Sequence, residues 1–200
     1  MIAEIIAVTF IVFFCVQHSF FASNYAKTIL PVSQRNYRLF YTFVGGVTLI
    51  ILTVVLTTLA SDPEAKITPI IQANSFTSSL ALVLAGIGMI FLAGSLLQTN
   101  PFKFAGLIAE DPDNDLQTRF FYKFSRHPMY TGAILLMGPG IFLSDNMIWF
   151  LQNFFFVAYF ILGSLLEERR LRKELPGYDV MYSRGHLFPW KKQHFVNLFK

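Results

Sequence analysis

The chain holds a single cysteine, Cys15. That excludes an internal disulfide and a thiolate-held metal cluster, and its place inside an apolar run suits a small packed or lipid-facing residue. Charge is scarce as well: Asp, Glu, Lys and Arg make up 14% of the residues against 54% hydrophobic ones, a balance foreign to a water-soluble domain. No G-x-G-x-x-G stands between a strand and a helix, so no dinucleotide-binding turn is expected. Internal repeats, low-complexity tracts and shifts of composition are also missing. Residues 1–200 are therefore expected to form a single transmembrane domain.

The charges that remain are segregated. Stretches free of Asp, Glu, Lys and Arg run from Ile5 to Ala26, Leu39 to Ser61, Ile67 to Phe102, His127 to Ser144 and Asn146 to Leu166. About 20 residues at about 1.5 Å each cross a bilayer core. This predicts an all-α integral membrane bundle of about five transmembrane helices, near residues 2–22, 38–60, 77–98, 128–144 and 147–166, the fourth being short. The division makes residues 1–98 a scaffold of three helices, 99–127 a cytoplasmic loop, and 128–190 a hairpin and tail expected to form a pocket. Glycines 45, 46, 86, 88 and 94 in the second and third spans suit close helix approach in lipid.

With five spans, three, four and eight of the sixteen Lys and Arg fall on one side of the membrane and only Lys66 on the other. The positive-inside rule then puts the N-terminus outside and the C-terminus in the cytoplasm, in a bacterial inner membrane or one of endoplasmic-reticulum type. Glu4, with no basic residue before the first apolar core, argues for an uncleaved span over a signal peptide. The net charge of +4 needs no nucleic-acid partner, because the basic segments would lie against anionic lipid headgroups.

Two polar segments interrupt this background and are expected to lie on the membrane surface. Acidic residues 110–115 alternate like the start of a calcium loop, but Leu116 takes the place of the turn glycine and Tyr122 that of the closing glutamate. The segment reads as a solvated turn, and no metal site is expected. Asp115 could cap an interfacial helix, 116–124, with Phe120, Phe121 and Phe124 toward lipid; a similar surface role suits the tail Lys191–Lys200.

Polar motifs bracket the last two spans, and charged groups inside lipid are costly and tend to mark function. Before them stands Arg126-His127-Pro128-Met129-Tyr130-Thr131-Gly132, where Pro128 fits a first helical turn whose free amides face Arg126 and His127. Gly138-Pro139-Gly140 is expected to break the fourth helix. Glu167 and Glu168 are expected at the C-terminus of the fifth, against its dipole. They are either a solvated pair neutralised by Arg169, Arg170, Arg172 and Lys173, or an inward-facing holder of a cationic or multi-hydroxyl ligand. Tyr178 and Tyr182 follow, then His186-Leu187-Phe188-Pro189, an apolar loop able to receive a flat ring.

Together, R-H-P-x-Y-x-G, E-E-x-x-L at 167–171, Tyr182 and L-F-P at 187–189 resemble the isoprenylcysteine carboxyl methyltransferase and phospholipid methyltransferase superfamily over residues 115–190. The resemblance implies a pocket for S-adenosylmethionine at the cytoplasmic face. His127, Tyr130, Gly138, Gly140, Glu167, Glu168, Tyr182 and His186 would hold the cofactor, with Leu187, Phe188 and Pro189 walling the adenine. Arg126, with His127 and Tyr130, would lie nearest the reacting group. The methyl acceptor would be a small thiol, carboxylate or lipid-like nucleophile. The family spaces two tyrosines three apart, whereas Tyr178 and Tyr182 are four apart.

The front of the chain, His18-Ser19-Phe20-Phe21-Ala22-Ser23 and Arg35-Asn36-Tyr37-Arg38-Leu39-Phe40-Tyr41, resembles the methanethiol S-methyltransferase and NnrU-like branches. This second resemblance implies an alternative, a haem-binding membrane isomerase with His18 as an axial ligand. A sterol-reductase-like enzyme using NADPH is a further rival, and the paired Glu167 and Glu168 argue against it, since the cofactor's extra phosphate wants cations.

Overall fold

The computed structural model describes residues 1–108, 120–174, 178, 181 and 185–188, the side chains of Gln34 and Arg35 aside. Seven α-helices are described: α1 (Ile2–Ala22), α2 (Asn24–Ile29), α3 (Gln34–Ala60), α4 (Ser75–Gln98), α5 (Pro101–Phe104), α6 (Pro128–Leu143) and α7 (Met147–Glu174). Among the described residues no strand occurs, only the isolated bridges Lys66–Asn146 and Ser125–Gly185. The protein is an all-α membrane bundle. Four stretches are long and apolar enough to span a bilayer, Ile2–Ala22, Asn36–Ala60, Ser75–Gln98 and Met147–Lys173. The 16 residues of α6 make a shorter apolar rod of about 24 Å at 1.5 Å per residue.

The long helices run alternately up and down, which gives the bundle two ends. One end carries residues 60–75 and 143–147, closed by Ile67 N–H donating to the Asp145 carbonyl (2.8 Å) and the Asn146 amide donating to the Ala60 carbonyl (2.9 Å). The other carries α2, α5, the start of α6 and the end of α7; it is the basic end. Between α1, α3 and α7, a buried plug of Ala7, Ile11, Phe14, Leu52, Leu56, Ile148 and Phe156 fills the half away from the basic end. Outward-facing Phe43, Leu82 and Leu166 are exposed, as a lipid-facing surface requires.

The second face of the bundle is made by glycine. Gly88 of α4 and Gly132 of α6 meet so closely that a Cβ on either would lie 2.6 Å from the other's carbonyl oxygen. Backbone contact of this kind gives van der Waals packing where lipid removes any hydrophobic drive. Gly94 is covered by the Phe121 ring, and Gly45 faces His18, whereas Gly46 and Gly86 meet nothing within 4 Å. The expectation of close approach is thus met at some of the five glycines and not at others.

Several boundaries differ from expectation. The second span begins at Gln34 and is preceded by α2, which is capped by the Ser23 hydroxyl accepting from Ala26 N–H. The last helix runs on to Glu174, so Glu167 and Glu168 lie inside it and not at its C-terminus. Apolar content marks where lipid ends, not where the helix ends: Glu, Arg, Leu and Lys are good helix formers, and the pairs Glu167–Arg170 (3.6 Å) and Glu168–Arg172 (3.3 Å) support the added turns. Pro139 does not break α6, which is continuous through it, flanked by α4 and α7. Of the proposed interfacial helix 116–124, residues 120–123 form one 3₁₀ turn, and Phe121 packs on Phe91 (5.1 Å between ring centres) instead of facing lipid. The acidic run 110–115 and the tail 191–200 lie outside the described residues.

Candidate functional site

Pro128 starts α6 as its first residue, and this leaves His127 just outside the helix with its ring turned into the bundle. From the facing helix, α7 presents Glu168 on its inward side while the adjoining Leu165 and Leu166 face lipid. Both groups are about 95% buried, and the His127 Nε2 lies 2.9 Å from the Glu168 Oε2. That oxygen gathers others: the Tyr178 hydroxyl donates to it at 3.0 Å, the Arg126 Nε stands at 3.4 Å and the His186 Nδ1 at 3.4 Å. The second oxygen accepts from Arg172 at 3.3 Å. A buried carboxylate costs several kcal/mol unless paired and hydrogen-bonded, and these partners offset that cost.

A second layer fixes the first. The His127 Nδ1 is 3.8 Å from the Glu167 Oε2, and the His186 Nε2 is 3.0 Å from the Ser164 hydroxyl. Ser125 is the hub that brings the segment 185–188 over the site. Its hydroxyl contacts Thr131 (3.0 Å), the His186 carbonyl (3.1 Å) and the His127 N–H (3.0 Å), and the Arg126 N–H donates to the Gly185 carbonyl (2.9 Å). The Thr131 hydroxyl donates to the Leu187 carbonyl. Burial, then the His127 charge, lowers the pKa of His186 and favours the neutral ring. Burial, then the Glu168 carboxylate, raises the Tyr178 pKa and keeps its proton.

Below this cluster an aromatic lining continues toward the apolar plug. Tyr130 packs against Phe160 (6.1 Å between ring centres), over Gly163, and its hydroxyl faces Glu167. His18 holds the Tyr41 hydroxyl at 2.6 Å through Nε2, stacks on Phe14 and meets Tyr159 edge-on. The His18 Nδ1 and the Gln17 Nε2 are buried and have no hydrogen-bond partner among the described residues.

Of the residues singled out from sequence, Arg126, His127, Tyr130, Glu167, Glu168 and His186 come together here. Leu187 and Phe188 are half-buried beside them. Gly138 and Gly140 do not join: ten and more residues along α6 from Pro128, they lie roughly 15 Å or more away, and Gly140 packs against the Asn153 side chain. Tyr182 and Pro189 lie outside the described residues. Sequence reasoning missed Ser125 and Ser164, because a serine hydroxyl carries no signal until its neighbours are known. It also left Tyr178 without a role.

Residues 6–174 match a family model described as NnrU protein. The match takes in the His18 segment, R-H-P-x-Y-x-G and the two glutamates alike. No curated protein and no solved structure gives a significant match.

Proposed function

The chain belongs to the NnrU family, and on that footing we propose that it is a membrane isomerase acting on an apolar, lipid-like substrate that enters from the bilayer. Its reacting centre is the Glu168 cluster at the basic end, which by the positive-inside rule faces the cytoplasm, with the N-terminus outside. The observation that carries this reading is the 2.9 Å contact between two buried groups, the His127 imidazole and the Glu168 carboxylate. Moving a double bond means taking a proton from one carbon and returning one to another. A carboxylate-held imidazole and a protonated tyrosine, Tyr178, are suited to that exchange.

The isomerase resemblance implies a haem with His18 as an axial ligand. In this packing His18 does not accept a macrocycle: its Nε2 is held by Tyr41, Gly45 stands against its Nδ1, and Phe14 and Tyr159 close two further sides. No step of the proposal passes through that group.

Methyl transfer from S-adenosylmethionine is a second reading, favoured by one feature: Arg126, His127, Glu168 and the 185–188 segment meet at a single place. A compact nucleophile would be methylated there in a site that excludes water. The two readings separate in one experiment. Membrane lipids from cells with and without the protein are compared by chromatography and mass spectrometry, beside calorimetry of the purified protein with S-adenosylmethionine. Isomerisation gives products of unchanged mass and shifted retention, and Glu168→Gln lowers their formation by about a hundredfold or more. Products heavier by one methyl group, with heat on adding S-adenosylmethionine, replace the first reading with the second; neither outcome in folded protein ends both.

A further inference from the structure

His127, Glu168 and His186 lie 41 and 18 residues apart in sequence, yet each offers one ligand atom and the three atoms lie within 4.8 Å of one another. Two imidazoles and one carboxylate are a donor set for divalent first-row metals that leaves coordination positions open. Two of the three edges fit: 2.9 Å from the His127 Nε2 to the Glu168 Oε2 and 3.4 Å from the His186 Nδ1 to the same oxygen. Bonds of about 2.0–2.1 Å to a common ion place ligand atoms about 3 Å apart.

The hydrogen-bond pattern points the same way. The Ser164 hydroxyl donates to the Ile161 carbonyl at 2.7 Å, so it accepts from the His186 Nε2–H. That contact turns the other ring nitrogen, the His186 Nδ1, toward the Glu168 carboxylate oxygen at 3.4 Å. His127 is placed alike: its Nε2 lies 2.9 Å from the same carboxylate oxygen, while its Nδ1 faces Glu167 at 3.8 Å. Metal-bound histidines commonly give their other N–H to a carboxylate or similar acceptor, which fixes the ring. Glu167 and Ser164 occupy those positions.

We propose that His127, Glu168 and His186 form a binding site for a divalent transition metal of the zinc or ferrous kind. Arg126 and Tyr178 reach the same carboxylate oxygen, so metal entry displaces their contacts and the affinity is moderate. The metal form uses both imidazoles as ligands and handles protons through metal-bound water instead of through His127. The inference rests on the geometry of the cluster and not on the isomerase reading.

The test is zinc binding by the tag-free, full-length protein in detergent, stripped with chelator and titrated with zinc chloride in a calorimeter. One equivalent should bind. His186→Ala removes a ligand from the half-buried covering segment and should weaken binding by more than the ten- to hundredfold that loss of a supporting partner costs; Ser164→Ala should fall within that range. Visible absorption of the cobalt-loaded protein should change in both variants, and thermal unfolding confirms that they fold. Wild-type protein that takes up no zinc, or zinc held equally well by both variants, as by the acidic residues 110–115, overturns the proposal. Zinc bound as described without any isomer formed leaves the metal site standing and removes only the isomerase reading.

Discussion

At the scale of single residues, the same residue type takes opposite roles according to what faces it. Gly88 and Gly86 share one helix two positions apart, yet one is pressed on the backbone of α6 and the other is open. Gly88→Ala should cost about 1–3 kcal/mol, because the new Cβ meets a carbonyl oxygen and an amide nitrogen that cannot swing aside. Gly86→Ala should be neutral or stabilise by up to about 1 kcal/mol, since helix interiors prefer alanine. Thermal unfolding of the two variants in detergent checks this; equal melting temperatures would refute the contact. Glu167 and Glu168 differ in the same way. Adjacent in sequence and 100° apart on α7, one is partly exposed and paired with Arg170, while the other is the buried centre of the site.

Among the elements, the covering segment 185–188 is held by the His186 ring contacts to Ser164 and Glu168, the Thr131 hydroxyl on the Leu187 carbonyl and the backbone bond from Arg126 to Gly185. Ser125 ties these together through the His186 carbonyl and the Thr131 hydroxyl. Ser125→Ala leaves the buried His127 N–H and the Thr131 hydroxyl short of a partner, a loss of about 1–3 kcal/mol. The expected outcome is faster protease cleavage after residue 174, with the helical signal of the bundle retained. Cleavage at the wild-type rate would show that the segment is held by something else. The continuation of α7 past the lipid boundary belongs to this scale too: about two more turns of charged helix carry Glu168 under the covering segment, where a helix ending at residue 166 could not have placed it.

Across the whole molecule, the bundle divides into an apolar half and a polar half. Phe14, Leu56, Ile148 and Phe156 plug the former, while His18, Tyr41, Tyr130 and Tyr159 line the latter up to the Glu168 cluster. A lipid-borne substrate would therefore meet polar groups only near the basic end. The charge bias predicts that this end faces the cytoplasm, and labelling tests the expectation. In a Cys15→Ala background, a membrane-impermeant thiol reagent should label Gln72→Cys in intact cells and spare Tyr25→Cys, both positions being exposed at opposite ends. The reverse pattern would invert the orientation.

Chain composition alone determined the membrane bundle and its long spans, because burying a peptide in lipid demands continuous apolar helix. It also located Arg126, His127, Glu167, Glu168 and His186 as unusual polar groups, since their cost in lipid makes them conspicuous wherever they occur. What tertiary structure alone decided was which of them meet. Gly138 and Gly140 sit in the helix that follows His127 and are remote from it, while Ser164, silent in sequence, and Tyr178, left there without a role, touch the site directly. The physical reason is that a helix converts sequence distance into both height and angle, and only packing against α7 fixes which heights and angles face one another. The pairing of His127 with a carboxylate 41 residues away rests on that packing, and with it every chemical property proposed for the protein.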